Sequence, residues 1–417
     1  MKLALVGAGQ RGSIYAQYAH AELGHRIVAV ADMDPGKRET AARKFSIEPE
    51  MVFPDAESFF AAGKLADALI LATMDRDHYS QTLRALELGY DILLEKPISP
   101  DPVECLRIQE AAHKYGRKIV VCHVLRYTNF FAAIKQILES GELGRVVTIQ
   151  HAENVGNFHM AHSFVRGNWR NSNETSPIIM QKSCHDMDIL VWLTDSDAKT
   201  VSSFGSRSFF RAENAPEGSG ERCLSCPVAD TCRFDVRKAY LPLMGEWPAT
   251  VVTGDQTEAG LLNALQTSPY GRCVFRCDNN VCDHQVTIIE FKNGVNVSFT
   301  LSGFTNRMCR ETKIMCEYGE INACDDGDRI EITRFNSNQV EQINKTLIRT
   351  AQVEGFHGGG DSLLMEDFIS NLEGSSTESK TAIERSIESH VMACAAELSR
   401  VTGRVVDIDE FKAELQK

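Results

Sequence analysis

The feature that most constrains the fold is a set of three glycines directly after the first short apolar run of the chain. Gly7, Gly9 and Gly12 have the spacing GxGxxG, between apolar residues 3–6 and a helical pattern that starts near Ser13. In such a unit the first glycine turns the chain, the second lets the backbone approach a ligand, and the third lets helix and strand pack closely. The spacing therefore predicts a βαβ unit whose helix amino terminus faces a bound phosphate.

An acidic residue after the second apolar run completes this pattern. Asp32 follows residues 27–31 and stands twenty residues after Gly12, where a carboxylate accepts from the adenosine ribose hydroxyls of a dinucleotide. A carboxylate there would repel a 2′-phosphate, so we expect NAD, while Lys37 and Arg38 nearby leave NADP open. The cofactor-binding residues predicted from this unit are Gly7, Gly9, Gln10, Arg11, Gly12 and Asp32.

The pattern of predicted helices and strands changes near residue 122. Before that point, short apolar runs alternate with helical patterns, which is typical of a parallel sheet covered by helices. After it, helices and strand-like runs separated by polar turns predict an antiparallel sheet with helices on one side. We therefore expect an α/β fold with a doubly wound Rossmann domain over 1–122 and a substrate-binding α+β domain over 123–417.

Charge and composition narrow the classes of partner. The 417 residues carry 44 Lys+Arg against 57 Asp+Glu, a formal net charge of -13 at pH 7, which disfavours a nucleic acid or an anionic membrane. We see neither a signal-peptide pattern at the amino terminus nor an apolar window long enough to span a membrane. We therefore expect a cytoplasmic protein whose 13 cysteines are thiols or metal ligands before they are disulfides.

A lysine at the end of a predicted strand belongs to a set of motifs that resembles a known family. Glu95, Lys96 and Pro97 follow the fifth apolar run, so Lys96 should point into the ligand crevice at the carboxyl ends of the strands. This motif and several others, in the same order, resemble the Gfo/Idh/MocA oxidoreductase family. The motifs are residues 7–12, Ala72-Thr73 with His78, and residues 95–97, 123–127, 169–170, 185–188 and 358–361.

The resemblance implies hydride exchange between a nicotinamide and a ring hydroxyl of a sugar, sugar derivative or cyclitol such as inositol. It also implies that the second domain has an open sheet through which the protein forms homodimers or homotetramers. The lysine of the family's EKP motif falls on Lys96, and the histidine of its second-domain helix falls on His185. The motifs extend the predicted cofactor-binding set to Ala72, Thr73, His78, Glu95, Lys96, Trp169 and Arg170.

A predicted helix starting at residue 178 supplies the second half of the site. Lys182 and His185 share one face of it with Gln181, which stands where many relatives carry an aspartate. We interpret His185 as the base for the hydroxyl proton, because histidine titrates near neutrality, with Asp188 orienting its ring. Lys96 is its electrostatic partner or proton relay and Lys182 a substrate contact, so that the catalytic set is Lys96, His185 and Lys182.

Hydrogen-bonding side chains before this helix suit a polyhydroxylated ligand. Forked donors fix hydroxyl groups and an aromatic face stacks on a sugar ring. The predicted substrate-binding residues are Arg126, Tyr127, His159, His162, Arg166 and Lys182.

Residues 205–285 interrupt the second domain with a polar, cysteine-bearing insertion. Cys223 and Cys226 have the CxxC spacing that lets two thiolates bind one tetrahedral zinc, and Cys232 follows them. With Cys277 from a second cysteine group, these residues are candidate ligands of a structural zinc. The alternatives are an iron–sulfur cluster, which we rank below zinc, and reduced thiols packed as small apolar side chains.

Three functions remain open on the sequence. The first is an NAD-dependent dehydrogenase acting on a sugar or inositol. The second is a glycosidase or lyase that retains its NAD, oxidises a ring hydroxyl transiently, eliminates the aglycone and returns the hydride. The third is a non-catalytic NAD-binding regulator, which we rank last because Lys96 and His185 are both present.

Overall fold

Two β-sheets organise the chain. The computed structural model describes residues 1–335, 345–350, 356–375 and 378–417. Its strands form one six-stranded and one nine-stranded sheet. None of the helices in these described segments is long and apolar enough to cross a lipid bilayer.

The amino-terminal sheet consists of parallel strands flanked by helices. Its strands are β1 (Lys2–Val6), β2 (Arg26–Ala31), β3 (Val52–Phe53), β4 (Ala68–Leu71), β5 (Asp91–Leu94) and β6 (Ile119–Val121). The helices between them are α1 (Gln10–Gln17), α2 (Pro35–Phe45), α3 (Ala56–Ala61), α4 (His78–Glu87) and α5 (Pro102–Tyr115). The spatial order β3-β2-β1-β4-β5-β6 confirms the predicted doubly wound sheet. Its switch point lies between β1 and β4, where such sheets bind ligands beyond the strand ends.

Local sequence signals explain where the helices on this sheet begin and end. In α5, Asp101 accepts a hydrogen bond from the Val103 N–H, and Pro102 occupies the first helical position. Gly116 ends the helix with a φ of 59°, in the left-handed region that glycine adopts without strain. At α2, Asp34 caps the first turn in the same way. These helices are therefore set by short-range chemistry.

The second sheet is largely antiparallel, as predicted. Its strands are β7 (Val146–Asn154), β8 (Ala198–Ser206), β9 (His284–Phe291), β10 (Asn296–Ser302), β11 (Cys309–Cys316), β12 (Gly319–Cys324), β13 (Arg329–Arg334), β14 (Lys345–Arg349) and β15 (Val406–Asp407). Their order is β14-β13-β12-β11-β7-β10-β9-β8-β15. Among these strands β7 and β10 pair in parallel, and the other neighbours pair antiparallel.

The helices of the second half include one that differs from its sequence prediction. They are α6 (Asn129–Glu139), α7 (Asn157–His159), α8 (Ile178–Gln181), α9 (Cys184–Thr194), α10 (Val236–Tyr240), α11 (Ala249–Val252), α12 (Glu258–Thr267), α13 (Gly360–Leu372), α14 (Ile383–Thr402) and α15 (Ile408–Leu415). The single helix predicted from residue 178 is broken between α8 and α9, at Lys182 and Ser183. Lys182 and His185 therefore do not lie on one continuous helix. The prediction that they share one face of a single helix was wrong.

Carboxyl-terminal helices join the cores of the two sheets. Leu364 and Phe368 of α13 pack in the same apolar cluster as Leu3 of β1. Ile383 at the start of α14 packs with the strands of the first sheet, whereas Val391 of the same helix packs in the core beneath the second. The first sheet is thus covered partly by residues far along the chain.

The outer face of the second sheet is exposed. Phe204, Val286 and Ile288 are 66%, 40% and 48% exposed on it. A cavity of about 500 Å³ lies on the same sheet, lined by side chains that include Gln150, Lys313, Asn322 and Arg329. Its lining includes none of the predicted catalytic residues, so this cavity is a surface feature of the sheet and not the predicted substrate site.

Candidate active site

The glycine-rich turn has the geometry of a phosphate cradle. Gly7 has a φ of +93°, and a Cβ there would lie 2.4 Å from the Ala72 carbonyl oxygen. A Cβ on Gly12 would lie 2.1 Å from the Gly7 carbonyl oxygen. Gly9, by contrast, has no described atom within 4 Å of its Cβ position and precedes the amino terminus of α1. Two glycines are therefore required by packing, while the third leaves open space where the helix presents free N–H groups.

Asp32 is fixed beside this turn by backbone hydrogen bonds. Its Oδ2 accepts from the Ala8 N–H at 2.7 Å, and its Oδ1 accepts from the Asp34 N–H at 2.8 Å. The Arg38 guanidinium donates to the Asp32 carbonyl oxygen at 2.5 Å. The carboxylate and the glycine turn are thus held together, and these residues would fit the ribose and the pyrophosphate of NAD.

Arg11 and Glu95 connect the same turn to the strand-end lysine. The Arg11 Nε lies 3.1 Å from Glu95 Oε1, the Tyr15 hydroxyl donates to the same oxygen at 2.8 Å, and the Arg11 guanidinium also pairs with Asp361. Burial alone would raise the pKa of Glu95, but the positive charges of Lys96 and Arg11 outweigh it and hold that pKa below its ordinary value. Glu95 Oε2 accepts from the Lys96 N–H at 2.7 Å. Glu95 therefore holds the backbone that carries Lys96.

Lys96 crosses from the first sheet to the second half of the chain. Its Nζ donates to the Gln181 carbonyl oxygen at 3.1 Å, and Lys182 follows directly. His185 lies three residues further along the chain, in the first turn of α9, and is 7% exposed. The structure thus brings the strand-end lysine against the segment that carries the other two predicted catalytic residues.

Asp188 does not contact His185 as predicted. Its two carboxylate oxygens accept from Arg126 Nε and Nη2, both at 2.7 Å, and Oδ1 lies 2.7 Å from His123 Nδ1. The His123 ring lies edge-on to His185, with centroids 6.0 Å apart. Burial would raise the pKa of Asp188, but Arg126 and His123 lower it to about 2. His123, which the sequence analysis placed in a family motif without giving it a role, therefore contacts both the carboxylate and the predicted base.

Arg126 and Tyr127 are fixed within the protein and do not line the crevice as predicted. Arg126 is 3% exposed, and its remaining Nη1 donates to the Lys380 carbonyl oxygen at 3.0 Å. The Tyr127 hydroxyl donates to Asp367 at 2.7 Å, and burial raises its pKa well above the ordinary value. Both positions follow β6, but their side chains turn toward the carboxyl-terminal segments because those segments supply hydrogen-bond acceptors.

Lys182 belongs to a charged network that sequence reasoning did not find. Its Nζ lies 3.3 Å from Glu153 Oε1, and Glu153 Oε2 lies 2.7 Å from Arg310 Nη2. Arg310 Nε also pairs with Asp186 at 2.7 Å. The partners are separated by up to 157 positions in the chain, so only tertiary structure reveals them. Gln181 turns away from this network and donates to Thr175 Oγ1 at 2.5 Å.

The three predicted substrate residues in the helical segment after β7 have different environments. His162 is stacked on Tyr270 at 4.8 Å, and burial lowers its pKa to about 3. Arg166 donates to two carbonyl oxygens of the insertion, both at 2.8 Å, and is buried. His159 stays partly exposed, and burial together with the nearby Lys182 charge holds its pKa well below the ordinary value. Of the three, His159 is therefore the one placed to meet a ligand.

The other predicted cofactor contacts have protein partners of their own or lie at the surface. His78 Nδ1 lies 2.8 Å from the Pro97 carbonyl oxygen and its Nε2 lies 3.2 Å from that of Thr73. Arg170 binds both carboxylate oxygens of Asp278, at 2.8 Å and 3.0 Å, and Trp169 packs on the edge of the core beneath the second sheet. Gln10 is exposed in the first turn of α1, beside Gly9.

Comparison with known proteins assigns this chain to a family. The family model described as "Oxidoreductase family, NAD-binding Rossmann fold" matches residues 1–123, and the one described as "Oxidoreductase family, C-terminal alpha/beta domain" matches residues 135–408. The chain belongs to the Gfo/Idh/MocA oxidoreductase family. The resemblance inferred from the sequence motifs is thereby confirmed, and with it an NAD-binding oxidoreductase fold.

Individual proteins similar to this chain share a quarter to a third of the aligned residues with it. The protein YteT of Bacillus subtilis is 25% identical over 362 residues, 83% of this chain and 82% of its own length. Inositol 2-dehydrogenase 4 of Saccharopolyspora erythraea is 33% identical over 225 residues, which span 52% of this chain and 60% of that enzyme.

Solved structures show the same fold over nearly the whole chain. An oxidoreductase from Agrobacterium radiobacter, in complex with NAD+, L-tartaric acid and magnesium, superposes with a TM-score of 0.70 at 17% identity and covers 98% of this chain and 99% of its own. The WlbA dehydrogenase from Bordetella pertussis, in complex with NADH and UDP-GlcNAcA, has a TM-score of 0.67 at 16% identity, with 98% of this chain and 97% of that chain covered.

The cysteine-bearing insertion of this Gfo/Idh/MocA protein does not form the predicted zinc site. Among the described residues, metal-type clusters of three ligands occur at His123, Cys184 and His390 and at Cys309, Cys324 and Asp325, both outside the insertion. Cys223 Sγ instead lies 3.5 Å from Arg166 Nη2, and the Cys277 thiol donates to the Cys273 carbonyl oxygen at 3.2 Å. Cys226 and Cys232 are partly exposed. The four predicted ligands Cys223, Cys226, Cys232 and Cys277 are not gathered around one point, and the residues do not fit a tetrahedral zinc.

The open space at Gly9 gives a direct test of the cofactor cradle. We expect Gly9→Val to fold normally, because the φ of -66° and ψ of -173° at Gly9 suit a side chain, and to weaken NAD binding by at least about 100-fold by filling the pyrophosphate position. Calorimetric titration with NAD measures the affinity and thermal denaturation checks the fold. Gly254→Val is the matched control, since Gly254 also has open space around its Cβ position among the described atoms. An unchanged dissociation constant for Gly9→Val would place the cofactor elsewhere.

Proposed function

We propose that the protein is an NAD-dependent dehydrogenase that oxidises a ring hydroxyl of a sugar, sugar derivative or cyclitol. The observation that carries this proposal is the 3.1 Å contact between Lys96 Nζ and the Gln181 carbonyl oxygen. It joins the strand-end lysine of the NAD-binding domain to the segment that holds Lys182 and His185. Inositol dehydrogenase relatives, and a structural neighbour in complex with a nucleotide sugar acid, support a polyhydroxylated ring as substrate.

Each catalytic side chain has a separate task in this proposal. Bound NAD+ supplies the acceptor for the hydride that leaves the substrate carbon. His185 accepts the hydroxyl proton, which histidine does well near neutral pH. The Lys96 ammonium stabilises the negative charge that develops on the substrate oxygen as that proton leaves. Lys182, held by Glu153 at 3.3 Å, donates a hydrogen bond to a neighbouring hydroxyl and orients the ring.

The cofactor preference and the assembly are part of the same proposal. Asp32 beside the ribose position favours NAD over NADP, because two negative charges would face each other if a 2′-phosphate were bound. Exposed Phe204, Val286 and Ile288 on the outer face of the second sheet support a homo-oligomer formed through that face, since apolar patches of this kind commonly mark protein contacts.

A substrate panel tests the proposed reaction. Purified protein with saturating NAD is mixed with inositols, hexoses, hexuronic acids and alditols, and NADH is measured by its absorbance. We expect at least one ring polyol to yield stoichiometric NADH, and His185→Asn to lower kcat/KM for it by about 10²–10⁴-fold. NAD binding without NADH from any polyol would contradict a dehydrogenase and favour a regulator. Release of 4-nitrophenol from aryl glycosides without net NADH would favour the NAD-retaining glycosidase.

A further inference from the structure

Aromatic side chains of the insertion pack against the helical segment after β7, which precedes the segment that carries Lys182 and His185. The insertion has an apolar core of its own, formed by Cys223, Val236, Tyr240, Ala249, Leu261, Leu265 and Tyr270. Tyr240 and Tyr270 of this core, together with Trp247, contact Phe158, His159 and His162 in the helical segment after β7. The insertion is therefore packed against the segment that carries His159 and His162, and is not a loose connection.

Buried contacts fix the position of this aromatic cluster. His162 Nδ1 lies 3.0 Å from the Tyr240 hydroxyl while its ring stacks on Tyr270 with an interplanar angle of 13°. Arg166 adds hydrogen bonds to the Arg272 and Phe234 carbonyl oxygens. His162 is 3% and Arg166 is 2% exposed. Since His162 and Arg166 are almost fully buried, they fix the aromatic cluster against the helical segment after β7.

Trp247 differs from His162 and Arg166 because it stays partly exposed. It sits in a segment whose preceding residues 244–246 are exposed. Its ring lies edge-on to His159 at 5.1 Å and to Phe158 at 6.4 Å between centroids. His159 in turn lies near enough to Lys182 for that charge to lower its pKa. Lys182 and His159 are thus neighbours, and Trp247 borders His159 from the side of the insertion.

We infer that Trp247 and His159 form a subsite for a second ring, so that the substrate is a glycoside whose aglycone or neighbouring sugar stacks there while the terminal ring is oxidised. Aromatic side chains bind apolar ring faces, and a neutral imidazole can both donate to and accept from hydroxyl groups. A free monosaccharide or cyclitol held at Lys96 and His185 would leave this outer pair of rings without a ligand contact. The inference rests on the proposed function, because it requires the oxidised ring to bind beside Lys96.

Matched pairs of glycosides test this subsite. Methyl and 4-nitrophenyl D-hexopyranosides of the gluco, galacto and manno configurations are titrated into NAD-saturated protein by calorimetry, with NADH formation followed in parallel. We expect the wild type to bind at least one aryl glycoside about tenfold more tightly than its methyl counterpart. Trp247→Ala should abolish this difference while leaving the affinity for the methyl glycoside within a few-fold of wild type. Trp247→Phe should keep part of the difference.

The control variant lies in the same exposed segment of the insertion. Met244→Ala, three residues before Trp247 and 42% exposed in the wild type, should leave both affinities unchanged. Equal binding of the two glycosides by wild type, or a preference that survives in Trp247→Ala, overturns the subsite. In that case NADH formed from any polyol or glycoside still supports the proposed dehydrogenase. If neither glycosides nor free polyols bind or yield NADH, the proposed function and the subsite fall together.

Discussion

Replacing Lys96 by alanine should lower kcat for NADH formation by about 10²–10⁴-fold and lower NAD affinity far less. Lys96 Nζ reaches the Gln181 carbonyl oxygen at 3.1 Å, and in the proposed reaction its charge acts on the substrate hydroxyl that gives its proton to His185. Without it, the developing negative charge on oxygen loses its nearest counter-charge from the first sheet. The glycine cradle and Asp32 do not depend on Lys96, and they should still bind NAD. Stopped-flow and steady-state NADH measurements give kcat, and calorimetry gives the NAD dissociation constant.

Two companion variants make this result specific. Lys96→Arg keeps the positive charge but has a planar group that hardly gives up its proton, so it should recover only part of the lost turnover and flatten the pH profile if Lys96 relays the proton. Lys114→Ala removes an exposed lysine from α5 and should behave as wild type. Retention of more than about a tenth of wild-type kcat by Lys96→Ala would show that the lysine is not part of the chemistry.

Replacing Arg126 by methionine should lower the free energy of unfolding by about 3–5 kcal/mol. Arg126 makes two 2.7 Å hydrogen bonds to Asp188, and both side chains are almost fully buried. Removing the guanidinium leaves a buried carboxylate with His123 as its remaining described ion-pair partner. This loss lowers the free energy of unfolding more than the loss of an exposed ion pair does. Urea denaturation followed by circular dichroism measures the change. Arg145→Met, which breaks an exposed pair with Glu317, should change the midpoint little.

Acid unfolding gives a second readout of the same variant. The pKa of Asp188 is about 2 in the folded protein, below the ~3.9 of an unfolded aspartate. The charged carboxylate therefore stabilises the fold above about pH 4, and this contribution is lost as the pH falls toward the folded-state value. Without Arg126 the folded-state pKa rises, so the variant should begin to unfold at a higher pH than wild type. Identical acid transitions for the two proteins would contradict the assigned role of the pair.

The features that are predicted best from the sequence are those determined by residue type and by residues close to one another in the chain. Gly7 must adopt a positive φ and Gly12 must lack a Cβ, and both requirements are visible in the chain as glycines at fixed intervals. Asp32 follows its strand directly, so its place beside the cradle needs no knowledge of distant segments. The alternation of apolar runs and helices likewise determines the parallel sheet, because a crossover connection leaves few arrangements.

The remaining site residues depend on partners that only the folded chain reveals. Asp188 was expected to orient His185, three positions away, but Arg126, 62 positions away, supplies a stronger bidentate partner. The helix break at Lys182 could not be inferred from apolar spacing, since it leaves the hydrophobic pattern on both sides intact. The CxxC spacing states only that Cys223 and Cys226 are able to share an ion, and it carries no information about whether further sulfurs approach.

The packing of α13 on the first sheet has a consequence for how the protein is made. Leu364 and Phe368 complete the apolar cluster around β1, and Asp361 pairs with Arg11 next to the glycine turn. A ribosome releases the chain from its amino end, so the cradle emerges some 350 residues before the helix that covers its sheet. During most of synthesis, part of one apolar face of the nucleotide-binding half therefore remains uncovered, and we expect this half to be less stable when it is expressed without α13.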